Sequence, residues 1–144
     1  MILLKQKGTR SISIQEVEQL ERDYNIKLPQ DYKDHMLTYN GINPLKNYYF
    51  QPNIWEDEIN FFSTLPIKYG DYIFEEANLI GYLKDYPENH ISIGRSRTGS
   101  ISISLKKDEY GSVYVYYSDG EIHKLANSFT EFLEGLEEYE DDDY

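Results

Sequence analysis

Between Ser100 and Leu105 serine and aliphatic residues alternate strictly, with Ile101, Ile103 and Leu105 set against Ser100, Ser102 and Ser104. A period of two marks a strand with one apolar and one polar face. The flanks extend the pattern. Ile91 and Ile93 lead in through Gly94 and Gly99, and Val113 and Val115 follow with tyrosines between them. Lys107 to Gly111 reads as one turn and Asp119-Gly120 as another, because Asp and Gly both tolerate positive φ. Ile122 and Leu125 continue the run. The prediction is an antiparallel meander whose apolar face needs a cover. Its other face carries the three serines, read as the solvent side. Tyr114, Tyr116 and Tyr117 line that polar face or, for one of them, turn into the core.

The cover is helical. Ser128-Phe129-Thr130-Glu131 has capping-box spacing, and Phe129, Phe132, Leu133 and Leu136 then form one stripe. Ser13-Ile14-Gln15-Glu16 has the same spacing, with Ile14, Val17, Leu20 and Tyr24 on one face, so a helix is predicted from 14 to 24 and Asn25 is its stop. Ile26-Lys27-Leu28-Pro29 links it to a second helix over 30–39, with Tyr32, Met36 and Tyr39 in line and Asn40-Gly41 as its cap. Tyr48-Tyr49-Phe50 and Ile59 to Phe62 read as short strands. Asp71 caps a further predicted helix from Tyr72 to about Leu83, weakened at Gly81 and ended by Pro87. The fold class that follows is α+β: a single domain with an antiparallel meander and helices mainly on one face. Residues 1–136 form the domain, and 137–144 an acidic, disordered tail.

Length and charge narrow the function. A chain of 144 residues without cysteine can bury one core and uses neither disulfides nor thiolates. The N-terminal apolar run is too short for a signal peptide, and no stretch approaches the ~20 apolar residues of a membrane span, so a soluble, cytoplasmic protein is expected. The formal net charge is −12, and residues 51–90 and 137–144 each hold −6 of it. Nucleic acid and membrane are thus unsuited as direct partners, whereas a basic protein is suited.

No catalytic or metal-binding constellation stands out. His35, His90 and His123 fall in separate segments without ligand spacing, Gly94 and Gly99 form no phosphate loop, and no serine sits in a nucleophile elbow. Asp141-Asp142-Asp143 lacks the pattern of a calcium loop. The reading is therefore no enzyme, no cofactor and no metal. The better candidate is an aromatic and acidic segment: Tyr48, Tyr49 and Trp55 beside Glu56, Asp57 and Glu58, joined by Glu75 and Glu76 on the outer face of the 72–83 helix. Tyr and Trp dominate interface energetics and carboxylates steer basic surfaces. The competing reading packs these aromatics beneath the loop and leaves the acids solvated.

Three places carry a family resemblance. They are Leu28-Pro29-Gln30-Asp31-Tyr32 with Asn40-Gly41 one helix later, the strand run from Ile91-Ser92-Ile93-Gly94 through Gly99 to Leu105, and Val113-Tyr114 followed by Ser128-Phe129-Thr130-Glu131-Phe132-Leu133. In this order they resemble the SMI1/KNR4 superfamily, also called SUKH. One departure is that Ser100 follows Gly99 where the family often has Gly-Asp. The resemblance implies helices against one antiparallel sheet and no shared catalysis. For a bacterial member it implies an immunity protein that binds and occludes a cognate polymorphic toxin, often a nuclease and here expected to be basic. The alternative it implies is an intracellular regulatory or scaffolding module that binds another protein. No oligomeric state follows, although tyrosine-rich strand edges could pair between copies.

Overall fold

A computed structural model of the chain describes residues 12–39, 48–52, 56–62 and 89–138. The Asn40-Gly41 cap, Trp55 and the helix expected over 72–83 lie outside these residues.

Helix α1 spans Ile14–Tyr24, as its local signals dictate. The Ser13 hydroxyl accepts from Glu16 N–H at 3.1 Å, and the Glu16 carboxylate accepts from Ser13 N–H at 3.0 Å. Asn25 stops the helix in the left-handed conformation at φ 53°. The inward stripe is narrower than expected: Val17 and Leu20 are buried, while Ile14 on the first turn stays 38% exposed. Helix α2 spans Gln30–Tyr39, and the Pro29 carbonyl accepts its first hydrogen bond from Lys33. Glu21 clips the two helices together. One of its oxygens accepts from Leu28 N–H at 2.7 Å and the other meets the Lys33 ammonium at 3.4 Å.

The strands are β1 (Tyr48–Phe50), β2 (Asp57–Phe62), β3 (His90–Ser96), β4 (Ser100–Ser104), β5 (Val113–Tyr116), β6 (Ile122–Ala126) and β7 (Glu137–Glu138). They form one sheet in the order β6-β5-β4-β3-β2-β1-β7, antiparallel throughout. Six strands thus follow the chain as a meander. The chain then crosses by helix α3 (Phe129–Gly135) to the opposite edge and adds β7 outside β1. Ser128 caps α3 by accepting from Glu131 N–H, but the Glu131 carboxylate reaches back one residue further, to Asn127 N–H. A carboxylate from α2 completes this end: Asp31 accepts from both the backbone and the hydroxyl of Thr130, at 2.9 and 3.0 Å.

The core lies between the helices and one face of the sheet. Ile91, Ile93, Ile101, Ile103, Val113 and Val115 meet Leu28, Tyr32, Met36, Phe129 and Phe132, all buried. The Phe129 ring sits edge-on to Tyr32 at 5.1 Å and to His35 at 4.9 Å. That burial pushes His35 down to about 4.

The serine face departs from expectation. Ser102 and Ser104 are fully buried rather than solvated. The Ser102 hydroxyl shares a hydrogen bond with His90 Nδ1 at 2.9 Å, and the Ser104 hydroxyl accepts from Lys106 N–H at 3.1 Å. His90 packs against Tyr114 at 5.1 Å between ring centres, and Tyr114 bonds Glu109. The face is polar because its groups satisfy one another, not because water does. Alternation distinguishes the two faces of a strand, but it does not report which of them is wet.

Candidate partner-binding surface

Strand parity decides which residues of the 48–58 segment reach the surface. In Tyr48-Tyr49-Phe50 the outer two point inward, with Tyr48 3% and Phe50 7% exposed, and Tyr49 points outward. Tyr49 pairs in register with Glu58 of β2 on one side and Glu137 of β7 on the other. Directly paired residues share a face, so Glu58, Tyr49 and Glu137 form a row across three strands. The Tyr49 hydroxyl donates to the Glu137 carboxylate at 2.5 Å. Glu56 is exposed beside this row, Glu138 is exposed opposite Tyr48, and Tyr49 and Glu58 are half-buried. Exposed Arg95 and Arg97 sit on the far side of Glu58, with Arg97 N–H donating to the Glu58 carbonyl at 2.9 Å.

Asp57 goes the other way. It pairs with Phe50 and is 0% exposed. One carboxylate oxygen accepts from Thr98 Oγ1 at 2.8 Å and from the Tyr117 hydroxyl at 3.1 Å; the other accepts from Glu58 N–H at 2.9 Å. Its place is that of an interior fastener between β2, the β3–β4 turn and the end of β5. Gly99 makes room for this junction. A Cβ there would lie 2.8 Å from the Tyr116 carbonyl oxygen and 2.8 Å from the Tyr117 ring.

Of the eight residues singled out by the sequence, Tyr49, Glu56 and Glu58 therefore lie together on the outside. Tyr48 and Asp57 lie inside, out of reach of a partner. Trp55, Glu75 and Glu76 fall outside the described residues. Glu137 and Glu138, expected in a disordered tail, instead form β7. The period-two rule could have separated Tyr49 from its neighbours. Nothing local could have paired Tyr49 with a residue 88 positions away.

Ser102 and His90 have the spacing of a nucleophile and base, but they are 0% and 2% exposed, which closes them to any substrate. Burial, reinforced by Lys106 and opposed by Glu109, pushes His90 down to about 4. Tyr114 is pushed up to about 12, first by burial and then by its bond to Glu109. Among the described residues no three His, Asp or Glu side chains come together as a metal cage. A cleft of about 170 Å³ opens between β1, β6 and α3, lined by Phe50, Phe132, Lys124 and Glu131 among others. No helix among the described residues is long and apolar enough to cross a membrane.

The family model of the SMI1 / KNR4 family (SUKH-1) matches residues 11–135, from the cap of α1 to the end of α3. The chain belongs to the SMI1/KNR4 family. Comparison with curated proteins and with solved structures gives no match. SMI1/KNR4 members are in general non-catalytic immunity or binding modules. Tyr49 and Glu58 fall within the span that defines this SMI1/KNR4 domain, whereas β7 lies beyond it.

Proposed function

We propose that this SMI1/KNR4 protein is a bacterial immunity protein that neutralises a cognate polymorphic toxin by covering it, without catalysis. The toxin surface it meets is basic, as that of a nuclease domain would be, and the encounter takes place in the cytoplasm of the producing cell. The observation that carries this reading is the outward row of Tyr49 between Glu58 and Glu137, on the fold of a family of immunity and binding modules. An aromatic anchor flanked by carboxylates suits a partner rich in Lys and Arg: the ring supplies buried area, and the acids supply attraction during approach. Glu56 extends the row, and Trp55, Glu75 and Glu76 are proposed as further contact residues on the ground of residue type alone.

The test is co-expression with the toxic domain encoded beside this gene. Protection of the cell, together with a stable complex of the two proteins, is the expected result. If the toxin still kills while this protein is abundant and soluble, the immunity reading fails. A pull-down dominated by a protein unrelated to toxins would replace it with a regulatory or scaffolding module.

A further inference from the structure

Strand β7 is the part of this fold with the least reason to exist as a core element. It has two residues, both glutamates and both exposed, so it buries no apolar side chain of its own. It lies beyond the span matched by the family model. What it does is occupy the outer edge of β1, which would otherwise end the sheet. That edge reads Tyr48-Tyr49-Phe50, a strongly strand-forming run with no charge and no proline. Such an edge invites another strand, and proteins blunt it with short strands and charged residues. β7 supplies both, and the Tyr49–Glu137 hydrogen bond holds it in register.

We propose that β7 is a removable guard, and that the β1 edge beneath it pairs antiparallel with the β1 edge of a second copy of this chain once β7 is withdrawn. The strand is self-complementary about Tyr49. A two-fold axis there places Tyr48 opposite the second copy's Phe50 on the inner face, where both are already buried, and sets the two Tyr49 side chains together outside. The nearest repelling acids, Glu58 of each copy, then stand three strand spacings apart, ~14 Å, beyond the ~8 Å over which physiological salt leaves charges unscreened. Loss of residues 137–144 also lowers the net charge of each copy from −12 to −6, weakening general repulsion. The pairing strand is three residues long, so the dimer is weak and forms reversibly with concentration.

The experiment compares the full chain with a chain ending at Leu136 by light scattering over a concentration series. The truncated chain is expected to double its mass as concentration rises, while the full chain stays monomeric. Tyr49→Lys in the truncated chain sets two ammonium groups against each other across the two-fold and should restore the monomer. A truncated chain that stays monomeric overturns the proposal, as does a full chain that dimerises equally well, or a dimer indifferent to Tyr49→Lys. If the truncated chain does not fold, Glu138→Pro in the full chain unpairs β7 instead, and the same outcomes decide.

Discussion

Asp57 and Glu58 are adjacent carboxylates on one strand, and the fold treats them in opposite ways. Asp57 is turned inward, sealed from solvent, and receives three hydrogen bonds from three parts of the chain. Glu58 is turned outward beside Tyr49 and is only half-buried. The first fastens the molecule; the second, under the proposed function, greets a partner. A run of acids is therefore not a patch. On a strand it is two populations with different work, separated by the period of the pleat.

The sharpest way to break this contrast is to remove each carboxylate in turn. Asp57→Ala leaves the Tyr117 hydroxyl and the Glu58 N–H without their acceptor in the interior, and should cost about 3 kcal/mol or more. Glu58→Ala should stay within about 0.5 kcal/mol. Urea denaturation of both variants checks this. Equal losses would mean that Asp57 does not fasten the junction.

Next in size is Gly99→Ala. The added methyl meets a backbone oxygen and a ring that is itself anchored on Asp57, so neither neighbour yields freely. The expected cost is about 2 kcal/mol. In the Asp57→Ala background the Tyr117 ring is released, and the same substitution should cost less. A double-mutant cycle that instead shows additivity would uncouple Gly99 from the junction.

How much of this was legible beforehand depends on how far each signal reaches along the chain. The ends of α1 were readable because Ser13, Glu16 and Asn25 act on their own backbone within a turn. The four-strand meander β3 to β6 was largely readable for the same reason, through alternation and an Asp-Gly turn in which Gly120 takes φ +93°, whereas the pairing that adds β2 and β1 to it was not. What escaped was every feature that needs a distant partner. Asp31 capping α3, Asp57 receiving Tyr117, and Glu137 meeting Tyr49 are separated by 99, 60 and 88 residues. The buried serine face escaped for another reason: a polar strand face looks the same in sequence whether water or His90 satisfies it.

His90 extends the comparison to pH. Its pKa falls from the unfolded value of 6.5 to about 4 in the fold. Between these values the unfolded chain binds a proton that the native state does not, so unfolding gains protons as pH drops. The stabilisation is complete above pH 6.5 and is lost as pH falls toward 4, by on the order of 1–2 kcal/mol for this group after allowing for relaxation. His35, also pushed down to about 4, acts with the same sign. His90→Asn keeps a side chain able to reach Ser102 but removes the titration. The variant should lose less stability than the parent between pH 7 and 4, whatever its level at neutral pH. Parallel stability curves would show that the two share the same proton uptake, and that His90 is not held neutral by its burial.

The smallest effect on folding belongs to the outer row. Glu56→Lys with Glu58→Lys reverses two acids on the outer side of β2 without touching the core, and should leave stability within about 0.5 kcal/mol. Toward the toxin domain found by co-expression, the effect should be large in rate: association slowed about tenfold and its salt dependence flattened, because steering by exposed charge acts mainly on encounter. The pairing of a silent stability measurement with a slowed encounter is the informative result. Asp57→Ala should show the opposite pattern, lowering the folded fraction while leaving the on-rate of the molecules that remain folded nearly unchanged. If charge reversal in a folded protein leaves the association rate as it was, the outward half of the acidic run has no partner, and the contact surface must be sought on another face of the sheet.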